Sequence, residues 1–211
     1  MTISEIYKKY KINQGLQGHM YRVAAVAYFI CKAYQEDIDT RSVVSACLLH
    51  DMGNLLKFKF DVAPELCEPE GVEYWQKVQT ELKEKYGSNV HEATLAMVRE
   101  ISHEKKIVEV VNEASFDEII TVANEGSVEA QLLEYADMRV GLHGVVSLDS
   151  RFNDIKERYC PWRFSEAELE TRRKAAKQIE NELLASTILS PEAISDVTIR
   201  EPMNELSNWE L

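Results

Sequence analysis

Apolar residues recur at spacings of three and four along most of the chain, as expected for helices that bury one face. The segment 15–34 carries Leu16, Met20, Val23, Ala24, Ala27, Ile30, Cys31 and Tyr34 in that rhythm. Thr40 is placed to cap a second helix through residue 56, with Val43, Val44, Cys47, Leu48 and Leu55 on one side. Further helices are predicted over 73–86, from Ser88 or Asn89 to 101, near 107–114 and 116–124, from Ser127 to 140, and over 148–159 and 165–185. Pro64, Pro69 and Gly71 mark a loop over 60–72, and the strand-like runs 58–62 and 145–147 are too short to build a sheet. Beyond Ser186 the period fades, with Pro191 and Pro202 as breakers. The pattern predicts one all-α domain over 1–186, with a core at about 15–160 and a C-terminal helix at about 164–186. An irregular tail over 187–211 follows it.

Charge narrows the partners. Acidic residues outnumber basic ones, 36 to 24, for a net charge of −12. Such a surface argues against a nucleic-acid polymer as partner, because phosphate backbones demand basic patches. A local pocket for one small phosphate ester is compatible with it. No apolar run approaches the roughly 18 residues that a membrane span requires. The first residues lack the basic-then-apolar order of a signal peptide. Cys31, Cys47, Cys67 and Cys160 form no CxxC pair, and two of them fall in apolar helical stretches. A cytoplasmic protein is therefore expected, and a homo-oligomer is compatible with the sequence.

Against this background a few polar residues stand out. His19 has Leu16 one turn before it and Val23 one turn after it, beside the apolar stripe of its helix. His50 and Asp51 follow the apolar run 46–49, and Asp137 has Leu133, Ala136 and Val140 as helical neighbours. A lone inward histidine is usually a satisfied core residue, and a lone inward aspartate usually pairs with an arginine or a helix end. Ligand-type side chains directed inward from three successive long helices form a different pattern. Burying a histidine and a carboxylate side by side costs several kcal/mol unless they are partnered. A divalent cation satisfies both at once, and imidazole with carboxylate suits Mn, Fe, Co, Ni or Zn, with Mg also allowed. Adjacent helix residues do not share a face, so His50 and Asp51 serve one ion only if their helix turns its end or edge toward it.

The order His19, His50-Asp51, Asp137 resembles the motif of the HD superfamily of metal-dependent phosphohydrolases. Arg22-Val23 after His19 is similar to the H-x-x-R-V that opens many HD domains. Leu48-Leu49-His50-Asp51-Met52-Gly53 is similar to their L-L-H-D-I-G core, and Tyr135-Ala136-Asp137 to their Y-A-D. The resemblance spans roughly 15–142. It implies an HD-type helical bundle, and a hydrolase in which His19, His50, Asp51 and Asp137 bind one divalent ion. That ion would polarise a phosphoryl group and lower the pKa of a bound water. The implied substrate is a nucleotide or other phosphomonoester. A non-catalytic signalling or scaffold module with a structural metal is the alternative, and a dinuclear HD oxygenase is the less favoured one.

The remaining candidates follow from the same comparison. His91 stands where some subfamilies place a further histidine, as a general acid or phosphate contact. Arg22, one turn after His19, is the favoured cation for charge on the phosphoryl oxygens. Arg139 follows Asp137 on another helix face and is a candidate to orient the substrate, while Lys57 and Lys59 could line the mouth. Asn54 stands where many members carry Lys and some nucleotidases Glu, which makes it a candidate substrate contact. Subfamilies with two metals carry another histidine before the final aspartate, where this chain reads Val122-Ala123-Asn124-Glu125. His103 and His143 are expected on the surface.

Overall fold

The computed structural model describes residues 1–60 and 67–211. Eleven α-helices build it among the described residues. They are α1 (Ile3–Lys9), α2 (Gln14–Ala33), α3 (Thr40–Leu49), α4 (Val72–Tyr86), α5 (Val90–Ile101), α6 (Lys105–Glu113), α7 (Ile119–Glu125), α8 (Val128–Met138), α9 (Leu148–Tyr159), α10 (Glu166–Ala185) and α11 (Arg200–Leu206). A two-stranded antiparallel hairpin, β1 (Val140–Gly141) and β2 (Gly144–Val145), joins α8 to α9. The all-α reading holds.

Side-chain caps fix where most of these helices begin. Asn13, Asp39, Asn89, Ser127, Ser147 and Ser165 each accept a hydrogen bond from a backbone N–H in the first turn of their helix. Ser165 and Glu168 complete a reciprocal capping box on α10. The cap of α3 is thus Asp39 and not Thr40.

Helices α2, α3 and α8 pack on one another pairwise, with α6 against α3 and α8, and α10 against α7, α8 and α9. The three helices expected to carry ligands therefore form the centre of the bundle. Their shared surface is a core of fully buried residues that includes Met20, Val23, Ala27, Val44, Leu48, Leu132 and Tyr135. The Tyr7 hydroxyl of α1 donates to the Leu48 carbonyl at 2.7 Å and ties α1 to the last turn of α3.

Two regions depart from the sequence pattern. The helix expected to run to residue 56 stops at Leu49, turns tightly, and resumes as a 3-10 turn over Asn54–Lys57. Gly53 explains the break. Its N–H donates to the Thr94 hydroxyl at 3.0 Å, and a Cβ there would meet the Val90 carbonyl at 2.6 Å. The start of α5 thus presses against the backbone just after Asp51, where only glycine fits.

The C-terminal segment, expected as an irregular tail, carries a 3-10 turn over Pro191–Ala193 and then α11, which packs on α2. Ile194, Ile199 and Leu206 are buried. The Trp209 indole N–H donates to Ser45 at 3.0 Å, and Thr2 pairs with Glu210 in an isolated bridge. Tertiary burial holds this segment where local periodicity is too weak to announce it. Residues 61–66, within the expected loop and the strand-like run 58–62, lie outside the described residues. No helix is long and apolar enough to cross a membrane among the described residues.

Candidate metal centre

His19 projects from the middle of α2, His50 caps the C-terminus of α3, Asp51 follows in the turn, and Asp137 sits in the last turn of α8. The end of α3 is what lets two adjacent residues face one point. The structure brings all four side chains together. His19 Nε2 lies 2.9 Å from Asp137 Oδ1 and 3.6 Å from Asp51 Oδ2. His50 Nε2 lies 3.7 Å from Asp137 Oδ1 and 3.8 Å from Asp51 Oδ2. The two imidazole rings stand 5.5 Å apart between centroids. Potential donor atoms of His19, His50 and Asp51 all fall within 4.8 Å of one another.

Exposure is graded across the cluster. The His50 side chain is 9% exposed, whereas those of His19, Asp51 and Asp137 are 22–23% exposed. The site is thus closed behind and open in front. His50 Nδ1 lies 2.8 Å from the Cys47 carbonyl. A carbonyl only accepts, so Nδ1 carries the hydrogen and Nε2 is turned to the cluster, an arrangement common for metal-binding histidines. His50 Nε2 is buried and makes no hydrogen bond among the described residues. A cation among these four groups would meet that need, so the donor set fits a divalent ion.

Electrostatics follow from the crowding. Burial works against a charged carboxylate at Asp137, but His19 and His50 outweigh it and hold Asp137 well below the usual carboxylate range. Burial lowers His50, yet Asp51 and Asp137 push it up to about 9.

The other expected residues divide. Arg22 is half-buried on α2, one turn beyond His19. Asn54 is half-buried in the turn after Asp51. His91 is half-buried in the first turn of α5, the turn that abuts Gly53, and is not one of the gathered groups. Lys57, Lys59, His103 and His143 are exposed, and the Lys59 ammonium stands 5.8 Å above the Trp162 ring.

Arg139 is a correction. It is 3% exposed and donates to Val146 O, Tyr135 Oη, Pro191 O and Ile194 O at 2.6–3.1 Å. Its donors are committed to the C-terminal segment and the hairpin, so it pins structure and has little left for a substrate.

Two buried polar atoms escaped the sequence reading. Glu134 stands one turn before Asp137 on the same face of α8, and its Oε1 is buried without a hydrogen-bond partner among the described residues. Arg151, near the start of α9, has a buried Nε in the same state. A charged residue inside the apolar run 132–136 was the available signal for Glu134. Arg151 has Leu148 and Ile155 as helical neighbours, which was the signal there.

The HD domain model matches residues 7–132, a span that includes His19, His50, Asp51 and His91 and ends shortly before Asp137. No curated relative and no solved structure matches the chain. The family match takes in more than half of the chain, and the three helices that it would need to converge do so; the protein belongs to the HD domain family.

Proposed function

We propose that the protein is a metal-dependent hydrolase of a small phosphate ester, most simply a nucleotide or another phosphomonoester. One observation carries this reading: a buried histidine nitrogen without a hydrogen bond among the described residues faces a histidine and two carboxylates in a site open on one side. His19, His50, Asp51 and Asp137 would hold one divalent ion of Mn, Fe, Co, Ni, Zn or Mg. When bound, such an ion polarises a phosphoryl group and makes water a nucleophile near neutral pH.

The chain's own residues do the rest. The four ligands fix the ion on a rigid helical centre and leave the exposed side for substrate. Arg22 supplies positive charge for the phosphoryl oxygens from the turn beyond His19. His91 and Asn54 flank the turn that bears Asp51 and serve as polar contacts to the ester. Buried thiols at Cys31 and Cys47 suit a reducing cytoplasm, and the net charge of −12 favours a small ester over a nucleic-acid polymer.

The test is a metal-supplemented screen of the purified protein against phosphomonoesters, phosphodiesters and nucleoside triphosphates, with metal analysis alongside. Hydrolysis that depends on one metal ion per chain is the expected result. A loaded protein silent toward the whole panel would instead support a signalling or scaffold module. Two irons per chain would point to oxygenase chemistry. Replacing Arg22 with Ala should raise KM or lower kcat while leaving metal content unchanged.

A further inference from the structure

Two neighbouring residues that turn their side chains to one point need their backbone held, because on a continued helix they face apart. His50 and Asp51 meet that demand in the turn that follows α3. The N–H groups of Met52 and Asn54 close onto the carbonyls of Leu49 and Asp51 at 3.2 and 2.9 Å. The N–H of Gly53, between them, leaves the turn and donates to the Thr94 hydroxyl on α5 at 3.0 Å. Thr94 is 2% exposed, and its hydroxyl donates in turn to the Val90 carbonyl at 2.9 Å. An amide only donates and a carbonyl only accepts, so both roles of the hydroxyl are filled and the direction of its hydrogen is fixed.

Packing reinforces this bond. A Cβ on Gly53 would stand 2.6 Å from the Val90 carbonyl and 2.7 Å from Thr94 Oγ1, so the first turn of α5 is pressed against the backbone two residues after Asp51. On the other flank the buried Tyr7 hydroxyl donates to the Leu48 carbonyl, two residues before His50. That carbonyl is among the last four of α3, which have no acceptor role inside the helix, so the Tyr7 bond also completes a helix end. The Thr94 bond has no such use. It takes a buried hydroxyl from another helix to fix one N–H of the ligand-bearing turn.

We propose that Thr94 is a positioning residue of the metal centre. Its hydroxyl, oriented by Val90, holds the Gly53 N–H and through it the direction in which Asp51 presents its carboxylate, while Tyr7 steadies the His50 side of the same turn. The proposal rests on the reading of the cluster as a metal site. It also gives α5 a part in that site, since Thr94 lies one turn beyond His91 on the same helix face. Coupling of this kind is reciprocal: what the Thr94 bond adds to metal affinity, bound metal returns to the bond.

The test is calorimetric titration of the metal-free full chain with manganese, paired with urea unfolding of the metal-free form. Thr94→Val keeps the shape and loses the hydroxyl, and should weaken manganese binding by the folded chain about 10-fold, at the lower end of what lost outer-sphere partners cost. Thr94→Ser returns the hydroxyl and should bring the affinity back to within about threefold of wild type. A role confined to folding would lower the unfolding midpoint and leave the manganese Kd of the folded variant unchanged, and that result overturns the assignment. Should Thr94→Val not fold, hydrogen exchange of the wild type decides the matter. Manganese should slow exchange at the Gly53 amide beyond the average for the chain, and an unaltered rate there overturns the proposal. A wild type that takes up none of manganese, iron, cobalt, nickel, zinc or magnesium overturns the metal centre itself and the role of Thr94 with it.

Discussion

Arg139 and Arg151 both leave the helix–hairpin–helix unit around α8 and α9, both are largely withdrawn from solvent, and each has a buried glutamate near it. They end in opposite states. Around Arg139 every group is used: its guanidinium reaches three carbonyls and Tyr135, the Tyr135 hydroxyl donates to Glu180 at 2.8 Å, and Lys177 also holds Glu180. At Arg151 and at Glu134, by contrast, a buried Nε and a buried Oε1 make no hydrogen bond among the described residues. A completed buried network specifies one structure, whereas an incomplete one costs stability until something binds. The difference teaches that satisfaction of hydrogen bonds, more than residue type, separates the charges that hold this fold from those free to meet a ligand.

Substitutions at the two regions should therefore fail in different ways. The largest effect is expected from Asp137→Ala, which removes the carboxylate that faces both histidines. Bound metal should fall from about one per chain to near zero with helix content kept, as measured by elemental analysis and circular dichroism. Unchanged stoichiometry would remove Asp137 from the centre. Arg139→Met should do the reverse, leaving metal uptake intact in the folded fraction and costing about 3–5 kcal/mol in urea unfolding, because Glu180 and Tyr135 lose a buried partner. A loss below about 1 kcal/mol would erase the contrast drawn between the arginines.

Smaller effects sharpen the same comparison. Stripping the ion with a chelator should lower the melting temperature, since metal at a hundredfold over its Kd adds about 2.7 kcal/mol. The same chelator should leave the thermal penalty of Arg139→Met in place. Glu134 gives a pH signature. Its folded value of about 8 exceeds the ordinary 4.5, so between those values the native chain holds a proton that the unfolded chain has lost. Its contribution to stability falls as pH rises through that window and levels off above it, by about 1.4 kcal/mol per pH unit. Glu134→Gln should lose that slope, and the wild type and variant should diverge in apo-protein unfolding between pH 5 and pH 8. Parallel curves would mean that the carboxyl is not buried as a neutral acid.

Much of this architecture could be read from residue order. Periods of three and four gave α2, α4, α9 and α10 to within a residue or so, because each buries one stripe and begins at a clear cap or turn signal. Four polar residues at inward positions, in the order of a known motif, were enough to name the cluster before any coordinates. The break after Leu49 was harder to see, since Leu55 continues the apolar period and only the close approach of α5 to Gly53 reveals why the helix must stop. Helix α1 and the C-terminal segment went unpredicted for a related reason. Their short apolar sets gain stability only from the surfaces of α2 and α3.

What the sequence determined by itself is the all-helical class, most helix starts and which polar residues lie inward on their helices, because caps and amphipathic periods are local and each is encoded within a few residues. What only the tertiary structure decided is which charges are spent and which are free. Arg22, Arg139 and Arg151 look alike as letters. Whether a guanidinium meets three carbonyls or none depends on chain segments that lie far away in sequence, and the cost of leaving it unmet arises only once those segments have excluded water.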